Sequence, residues 1–273
     1  MSRFLVVPQW QGSASTRGMQ LVEGAQAIAG DLPKSACTVI EVPLAAGDAL
    51  GTKVNRLSAV LHARDLVAAA LTEIPDDRVV IIGGDCGVSV AGVARALQEH
   101  PDLAVVWFDA HGDLHTPDSS QSGAFGGMAL RAVLGEGEPA IAASPGITPG
   151  RVVLVGARDL DVAEADYLAT NEIVTLFAED LVDPTALATA VAATGASAVY
   201  VHIDLDVLDP ANITGVMAPT PFGVSPAQLT EAIAELRACV PLVGATIAGF
   251  APASAAAAVD DLGVILRVVG ALA

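Results

Sequence analysis

One stretch near the middle of the chain, residues 106–116, constrains the fold more than any other. The apolar run 103–108 leads directly into three ligand-type residues at alternate positions, Asp109, His111 and Asp113. Alternate side chains of an extended backbone point to the same face. The pattern therefore predicts a buried strand that gathers three metal-ligand side chains at its carboxyl end.

A second stretch, residues 199–210, has the same design. Its apolar strand-like run is followed by Asp204 and Asp206, again two positions apart. Two strand ends that carry carboxylates in one chain predict a shared metal site rich in oxygen ligands.

Short apolar segments alternate with longer helix-like segments along the whole chain. The segments that favour strands are 4–7, 37–42, 78–82, 103–109, 151–156, 172–177, 199–203 and 242–247. The segments that favour helices are 19–29, 55–73, 86–99, 128–134, a short one that follows 157–164, 184–193, 225–239 and 256–271. This order predicts an α/β fold with a mainly parallel sheet covered on both faces. In such sheets, sites form outside the carboxyl ends of the strands, where both carboxylate clusters lie.

Composition excludes several classes of partner. The formal net charge of −18 argues against binding to nucleic acid or to an anionic membrane surface. No apolar run reaches the roughly 20 residues that span a bilayer, and the N-terminal apolar segment is broken too soon by proline to act as a signal peptide. The three cysteines are too few for a disulfide framework, which fits a reducing cytoplasm.

Three separate motifs resemble the ureohydrolase family, which includes arginase, agmatinase and formiminoglutamase. Residues 83–86 (Gly-Gly-Asp-Cys) resemble its Gly-Gly-Asp-His block, residues 109–113 are similar to its Asp-Ala-His-x-Asp block, and residues 204–210 resemble its Asp-x-Asp-x-x-Asp-Pro block. The resemblance covers nearly the whole chain. It implies a single three-layer α/β/α domain over residues 1–273 and two Mn²⁺ ions bridged by a hydroxide.

The resemblance also implies a ligand set. The expected metal ligands are Cys86, Asp109, His111, Asp113, Asp204 and Asp206. Two divalent ions need several carboxylates to offset their charge, and a bridging water that loses its proton near neutral pH can attack a guanidino carbon. Asp113 is expected to serve catalysis as well as ligation. The turn residue Asp209 is interpreted as backbone chemistry rather than as a ligand.

Cys86 stands where the family mostly has histidine. A thiolate is a soft ligand for a hard Mn²⁺ ion. A lone cysteine at a helix start can equally be a small buried apolar residue. We favour ligation, because of the motif and because a helix N-terminus lowers the pKa of a thiol.

Three further departures lie at the guanidinium end of the family's site. Gly126 falls where arginases place a proton-shuttling histidine, Gly249 where the family has a guanidinium-binding glutamate, and Ala218 where arginases have a threonine. His115 could take over the proton shuttle, since histidine titrates near neutral pH, or it could be a surface histidine. His202 is interpreted as a packing or outer-shell residue beside the ligands.

The opposite end resembles arginase. Asp161 and Glu164 match residues that hold the substrate's α-amino group, Ser122 matches one that binds its α-carboxylate, and His115 replaces an asparagine of the same cluster. Asp161 and Glu164 could instead simply cap the helix that they begin.

A retained amino-acid pocket with an altered far end predicts a small guanidino amino acid as substrate. The pattern is most similar to the family's Nω-hydroxy-L-arginine hydrolases, which release L-ornithine and hydroxyurea and supply the latter for D-cycloserine biosynthesis. The alternatives are arginase or another guanidino-acid amidinohydrolase, and a catalytically inactive metal-binding relative. Family members are commonly trimers or hexamers, and a monomeric state is an alternative for this acidic chain.

Overall fold

A computed structural model describes residues 2–74 and 78–273. Within them, eight strands form one sheet. They are β1 (Arg3–Val7), β2 (Cys37–Val39), β3 (Val79–Gly83), β4 (Ala104–Phe108), β5 (Val152–Val155), β6 (Val174–Leu176), β7 (Val199–Asp204) and β8 (Leu242–Ala248). All eight predicted strands are present, and β2 ends three residues earlier than expected.

Every pairing in the sheet is parallel, in the order β2-β1-β3-β8-β7-β4-β5-β6. The two strands that carry the carboxylate motifs, β4 and β7, are direct neighbours, with Phe108 opposite Ile203. Their carboxyl ends therefore meet at one edge of the sheet. The carboxyl end of β3 lies at the same edge, and β8 is the one strand between β3 and β7.

Helices cover both faces of the sheet. They are α1 (Gln20–Gly30), α2 (Leu57–Thr72), α3 (Ser89–Glu99), α4 (Ala129–Val133), α5 (Val162–Thr170), α6 (Ala186–Ala193), α7 (Pro226–Cys239) and α8 (Ala255–Leu272). Buried residues of α1, α6, α7 and α8 form one core with the sheet. Those of α2, α3 and α4 form the core on the other face. The predicted three-layer α/β/α fold is therefore confirmed. A parallel sheet needs a helical layer on each side because its strands are buried on both faces.

Local sequence explains where several elements begin. The Ser225 hydroxyl accepts from the backbone N–H of Gln228 to start α7, with Pro226 at its first position, which agrees with the predicted helix 225–239. Asn55, which begins the segment 55–73 that favours a helix, does not cap α2. Asn55 donates from Nδ2 to the carbonyl of Ser122 at 2.7 Å. The N-cap position, immediately before the first residue of α2, is Arg56, whose φ is +57°.

Within residues 2–74 and 78–273, none of the helices is both long enough and apolar enough to cross a membrane.

Candidate metal centre

The carboxyl ends of β3, β4 and β7 bring all six predicted metal-ligand residues to one region. We call Cys86, Asp109, His111, Asp113, Asp204 and Asp206 the ligand cluster. Five of the six are buried, and the His111 side chain is partly exposed. Carboxylates are rarely buried without partners, since desolvation disfavours their charged form. Their collection here requires a physical explanation.

Asp85 holds the turn that presents Cys86. Its carboxylate accepts hydrogen bonds from Gln9 Nε2 at 3.0 and 3.1 Å, from the Gly12 N–H at 2.9 Å and from the Gly87 N–H at 3.0 Å. The turn Cys86–Val88 is a short 3-10 helix that begins at this cap. Both carboxylate oxygens of Asp85 thus accept hydrogen bonds that fix the turn, and Cys86 rather than Asp85 contacts the other members of the ligand cluster.

One part of the ligand cluster forms around His111. Its Nδ1 lies 3.2 Å from Asp109 Oδ1 and 3.1 Å from Asp206 Oδ2. The backbone N–H groups of His111 and Ala110 donate to Asp109 and Asp206, at 2.7 and 3.1 Å, and so fix both carboxylates. A ring nitrogen of His111 and one oxygen from each carboxylate lie within 4.8 Å of one another, close enough to bind one ion.

The other part forms around Cys86. Its Sγ lies 3.1 Å from Asp204 Oδ2 and 3.9 Å from Asp109 Oδ2. Ligand atoms of Cys86, Asp109, Asp113 and His202 lie within 4.8 Å of one another. Asp109 belongs to both groups, so its carboxylate could supply a ligand atom to each.

Two observations support a cation in this cluster. Asp113 Oδ2 is buried and has no hydrogen-bond partner, and Asp113 adopts a left-handed φ of +52°. Such strain and such an unsatisfied acceptor both cost free energy in the absence of a ligand. The donor set of carboxylates, one imidazole and one thiol suits a divalent metal ion.

The electrostatics of the metal-free cluster agree. Burial, and after it the charge of Asp206, raises the pKa of Asp204 to about 7. Burial and the charge of Asp109 raise the pKa of Asp206 to about 6. Burial lowers the pKa of His111, but its hydrogen bonds with Asp109 and Asp206 outweigh that effect and raise it to about 12. Raised pKa values mean that these side chains hold their protons more tightly than usual. A divalent cation that binds to them would displace those protons.

The expectation that a helix N-terminus lowers the pKa of Cys86 is wrong for the metal-free chain. Burial, followed by the charges of Asp113 and Asp204, raises the pKa of this thiol well above its usual range. Cys86 opens a 3-10 turn that runs directly into α3, and burial together with the surrounding carboxylates outweighs any effect of this helix start on the pKa. A cation bound beside Cys86 would oppose this rise, because it offsets the negative charges of the carboxylates.

His115, Asp161 and Glu164 form a second group, which we call the head cluster. Asp161 caps α5 and forms a capping box with Glu164, so the capping interpretation is confirmed. Glu164 is buried, and its Oε1 also accepts from the Leu114 N–H at 3.2 Å. His115 Nε2 lies 3.4 Å from Asp161 Oδ2, and His115 Nδ1 lies 3.1 Å from Ser119 Oγ. His115 is therefore held by this cluster rather than free on the surface.

A cleft of about 290 Å³ joins the two clusters. It is lined by Cys86, His111, Asp113 and Asp204 of the ligand cluster, by His115 and Glu164 of the head cluster, and by Ser122, Gly126, Met217 and Gly249 among others. Predicted residues from both ends thus share one cavity, of a size that fits a small ligand, whereas Asp109, Asp206 and Asp161 are not part of its lining.

Gly249 has a specific steric role. Its φ is +85°, and a Cβ atom at this position would lie 2.0 Å from Asp204 Oδ1. The backbone after β8 therefore excludes a side chain at the position where the family has glutamate. Ala218 is exposed, and its neighbour Met217 lines the cleft.

Two polar residues outside the predicted ligand set, Asp209 and His202, lie close to it along the chain. Asp209 accepts from the N–H groups of Ala211 and Gly223, as predicted for turn chemistry. His202 was not predicted as a ligand, yet it is fully buried and its Nε2 has no hydrogen-bond partner. The alternation of β7, which puts His202 and Asp204 on one face, is the sequence signal that could have identified it.

The chain matches the arginase family over residues 14–266. An arginase of Bacillus caldovelox is 32% identical over 186 residues, which span 64% of this chain but less than two thirds, 62%, of that protein. The N(omega)-hydroxy-L-arginine amidinohydrolase of Streptomyces lavendulae is 34% identical over 198 residues, 71% of this chain and 68% of that protein. In three dimensions, the arginase of Entamoeba histolytica, solved with L-ornithine, has a TM-score of 0.87, with 23% identity over 99% of this chain and 97% of that chain. The chain therefore belongs to the arginase family.

Proposed function

We propose that this protein is a hydrolase with two Mn²⁺ ions that cleaves the guanidino C–N bond of Nω-hydroxy-L-arginine to L-ornithine and hydroxyurea. The observation that carries the proposal is a single cleft in which buried metal-ligand side chains lie beside Gly249, whose backbone excludes a side chain. The proposal treats residues 1–273 as one functional domain.

Cys86, Asp109, His111, Asp113, Asp204 and Asp206 would hold the ions. When bound, divalent ions lower the pKa of water and polarise the group under attack. The chain itself supplies the geometry: backbone N–H groups fix Asp109 and Asp206, and the Asp85 cap fixes the turn that bears Cys86. This fixed geometry limits the reorganisation needed at the reacting carbon.

The charge of the cleft favours a substrate less basic than arginine. A guanidinium stays protonated in proteins, with a pKa above about 12, and a buried cation needs a counter-charge. Among the described residues that line the cleft, the carboxylates are Asp85, Asp113, Glu164 and Asp204. Asp85 is used by backbone donors, Glu164 belongs to the head cluster at the amino-acid end, and the other two belong to the ligand cluster. A hydroxyguanidine is less basic, so it does not need the glutamate that Gly249 replaces.

The head cluster would bind the amino-acid end of the substrate. Asp161 and Glu164 supply negative charge for an ammonium group, and Ser122 and His115 supply donors for a carboxylate. His115, whose Nε2 faces Asp161, would also exchange a proton during turnover in place of the residue lost at Gly126.

The Streptomyces relative supports hydroxyarginine as the substrate, and the Bacillus relative supports arginine, the second candidate. Purified protein loaded with Mn²⁺ should be assayed on both, with hydroxyurea, urea and ornithine quantified separately. We expect kcat/KM to be higher for Nω-hydroxy-L-arginine. Faster turnover of L-arginine would show that the protein is an arginase.

The third candidate, an inactive metal-binding relative, is separated by metal analysis of the same sample. About two ions per chain with measurable turnover would exclude it. Bound metal without release of ornithine from either substrate would establish it.

The proposal includes a cytoplasmic location and no nucleic-acid or membrane partner, in keeping with the net charge of −18. The oligomeric states to distinguish are a monomer and, as is common in the family, a trimer or hexamer. Light scattering on the metal-loaded protein gives the oligomeric state directly.

A further inference from the structure

His202 lies directly beneath the ligand cluster. It belongs to β7, two residues before Asp204, and its side chain is fully buried. Its ring stacks on that of Trp107, with 3.7 Å between ring centroids and an angle of 21° between planes. Packing against this indole restricts the plane of the imidazole.

A hydrogen bond sets the chemistry of that imidazole. His202 Nδ1 lies 2.7 Å from Oγ of Ser89, which is itself buried at the start of α3. When Nδ1–H donates to this hydroxyl, the free electron pair of the ring is on Nε2. Histidine residues that bind metals almost always have their second nitrogen fixed by such a donor contact.

Nε2 is the unsatisfied atom. It is buried and has no hydrogen-bond partner, and the same is true of Asp113 Oδ2. A ring nitrogen of His202 lies within 4.8 Å of ligand atoms of Cys86, Asp109 and Asp113. Two buried acceptors without donors in one enclosed group indicate a cation, because an acceptor without a partner in the interior is otherwise unfavourable.

We propose that His202 is a metal ligand: its Nε2 binds one divalent ion together with Cys86 Sγ and oxygens of Asp109 and Asp113. This inference depends on the metal centre of the proposed function and adds a residue to it. The short Cys86 side chain then shares its ion with an imidazole that reaches the site from β7.

The two metal positions consequently differ in their donors. The position at Cys86 has sulfur, nitrogen and carboxylate oxygen, whereas the position at His111 has one nitrogen and carboxylate oxygens from Asp109 and Asp206. Thiolate and imidazole favour Zn²⁺ or Co²⁺, and carboxylates favour Mn²⁺. We therefore expect Zn²⁺ to occupy the Cys86 position in preference to Mn²⁺ when both ions are supplied.

Nuclear magnetic resonance of the histidine side chains tests the ligand directly. The chain has five histidines, so the ring ¹⁵N signals can be assigned by single substitutions. Titration of the metal-free protein with diamagnetic Zn²⁺ should shift the Nε2 signal of His202 and leave those of His62 and His100 unchanged. If Zn²⁺ binds and the His202 signal does not move, the inference is wrong and the metal centre stands. If no ion binds, the metal centre fails with it.

Substitution gives a second measurement. His202→Ala should weaken Zn²⁺ binding at one of two positions by at least the roughly 10–100-fold seen when outer-shell partners are lost. Co²⁺ bound at that position should also lose part of its visible absorption. Ser89→Ala, which keeps the imidazole, should cause a smaller loss, and His100→Ala, just beyond the end of α3, should cause none. Unchanged Zn²⁺ affinity in a folded His202→Ala protein would overturn the proposal.

Discussion

The two ends of the cleft solve the problem of buried polar groups in opposite ways. In the head cluster, the carboxylates of Asp161 and Glu164 accept from backbone N–H groups, so the cluster is satisfied without any ligand. In the ligand cluster, Asp113 Oδ2 has no partner, and the pKa values of Asp204 and Asp206 are raised to about 7 and about 6.

The difference separates two kinds of functional residue. The ligand cluster is unfavourable as it stands, and the fold retains it because a cation can offset its charge. The head cluster stabilises a helix whether or not a substrate binds. Its binding role must therefore be separated experimentally from its capping role, whereas the ligand cluster can be tested simply by supplying or removing metal.

The largest effect is expected from Asp109→Asn, because Asp109 belongs to both groups of ligand atoms. An amide carries no charge and offers one acceptor oxygen in place of two. We expect most of the bound metal to be lost and kcat/KM to fall by more than about 100-fold. Metal analysis and turnover of the same sample measure both. Asp118→Asn, at an exposed aspartate, should change neither, and a fully loaded Asp109→Asn protein would contradict the shared position of this carboxylate.

The second prediction concerns pH. Folding raises the pKa values of Asp204 and Asp206 to about 7 and about 6, so these groups contribute stability that is complete below about pH 4 and is lost as the pH rises through 6 and 7. Bound metal requires the carboxylate forms. The Tm of Mn²⁺-loaded protein minus that of chelator-treated protein should therefore increase from about pH 5 to about pH 8. A constant difference over this range would mean that these carboxyls are not the groups exchanged for metal.

The third prediction concerns Cys86→His. An imidazole donates less negative charge than a thiolate, so the metal-activated water becomes more acidic and the less reactive substrate, arginine, gains most. We expect the ratio of kcat/KM for hydroxyarginine to that for arginine to fall about tenfold, which corresponds to about 1.4 kcal/mol. The exposed Cys239→His serves as control. An unchanged ratio in a metal-loaded variant would exclude a tuning role for the thiol.

The smallest effect is expected at the head cluster, where Asp161→Asn separates the two roles. Asparagine caps a helix as well as aspartate does, so Tm should not change, whereas Asp161→Ala should lose about 1 kcal/mol of stability. If Asp161 binds the substrate's ammonium group, Asp161→Asn should raise KM several-fold at constant kcat. Unaltered KM in this variant would restrict Asp161 to capping.

Much of the fold was predictable because its determinants are local. Apolar runs such as that of β4 give a strand, and Ser225-Pro226 gives a helix start, whatever the rest of the chain does. The order of the strands was not predictable from these patterns. The meeting of β4 and β7 could be expected only because parallel strands present their carboxyl ends at one edge.

The site was predictable where chemistry follows spacing along the chain, as in Asp109, His111 and Asp113. It was not predictable where the deciding partner is distant. Asn55 looks like a helix cap but donates to Ser122, 67 residues away. His202 looks like a core residue until Ser89, 113 residues away, is placed beside it. The pKa of Cys86 likewise depends on carboxylates from two other strands.

The left-handed backbone at Gly249 determines how the specificity of this cleft can be altered. The Cβ atom of a glutamate at this position would clash with the carboxylate of Asp204. A substitution meant to bind a basic substrate would therefore displace a residue of the ligand cluster. A glutamate can be introduced at position 249 only after the turn that follows β8 has been reshaped.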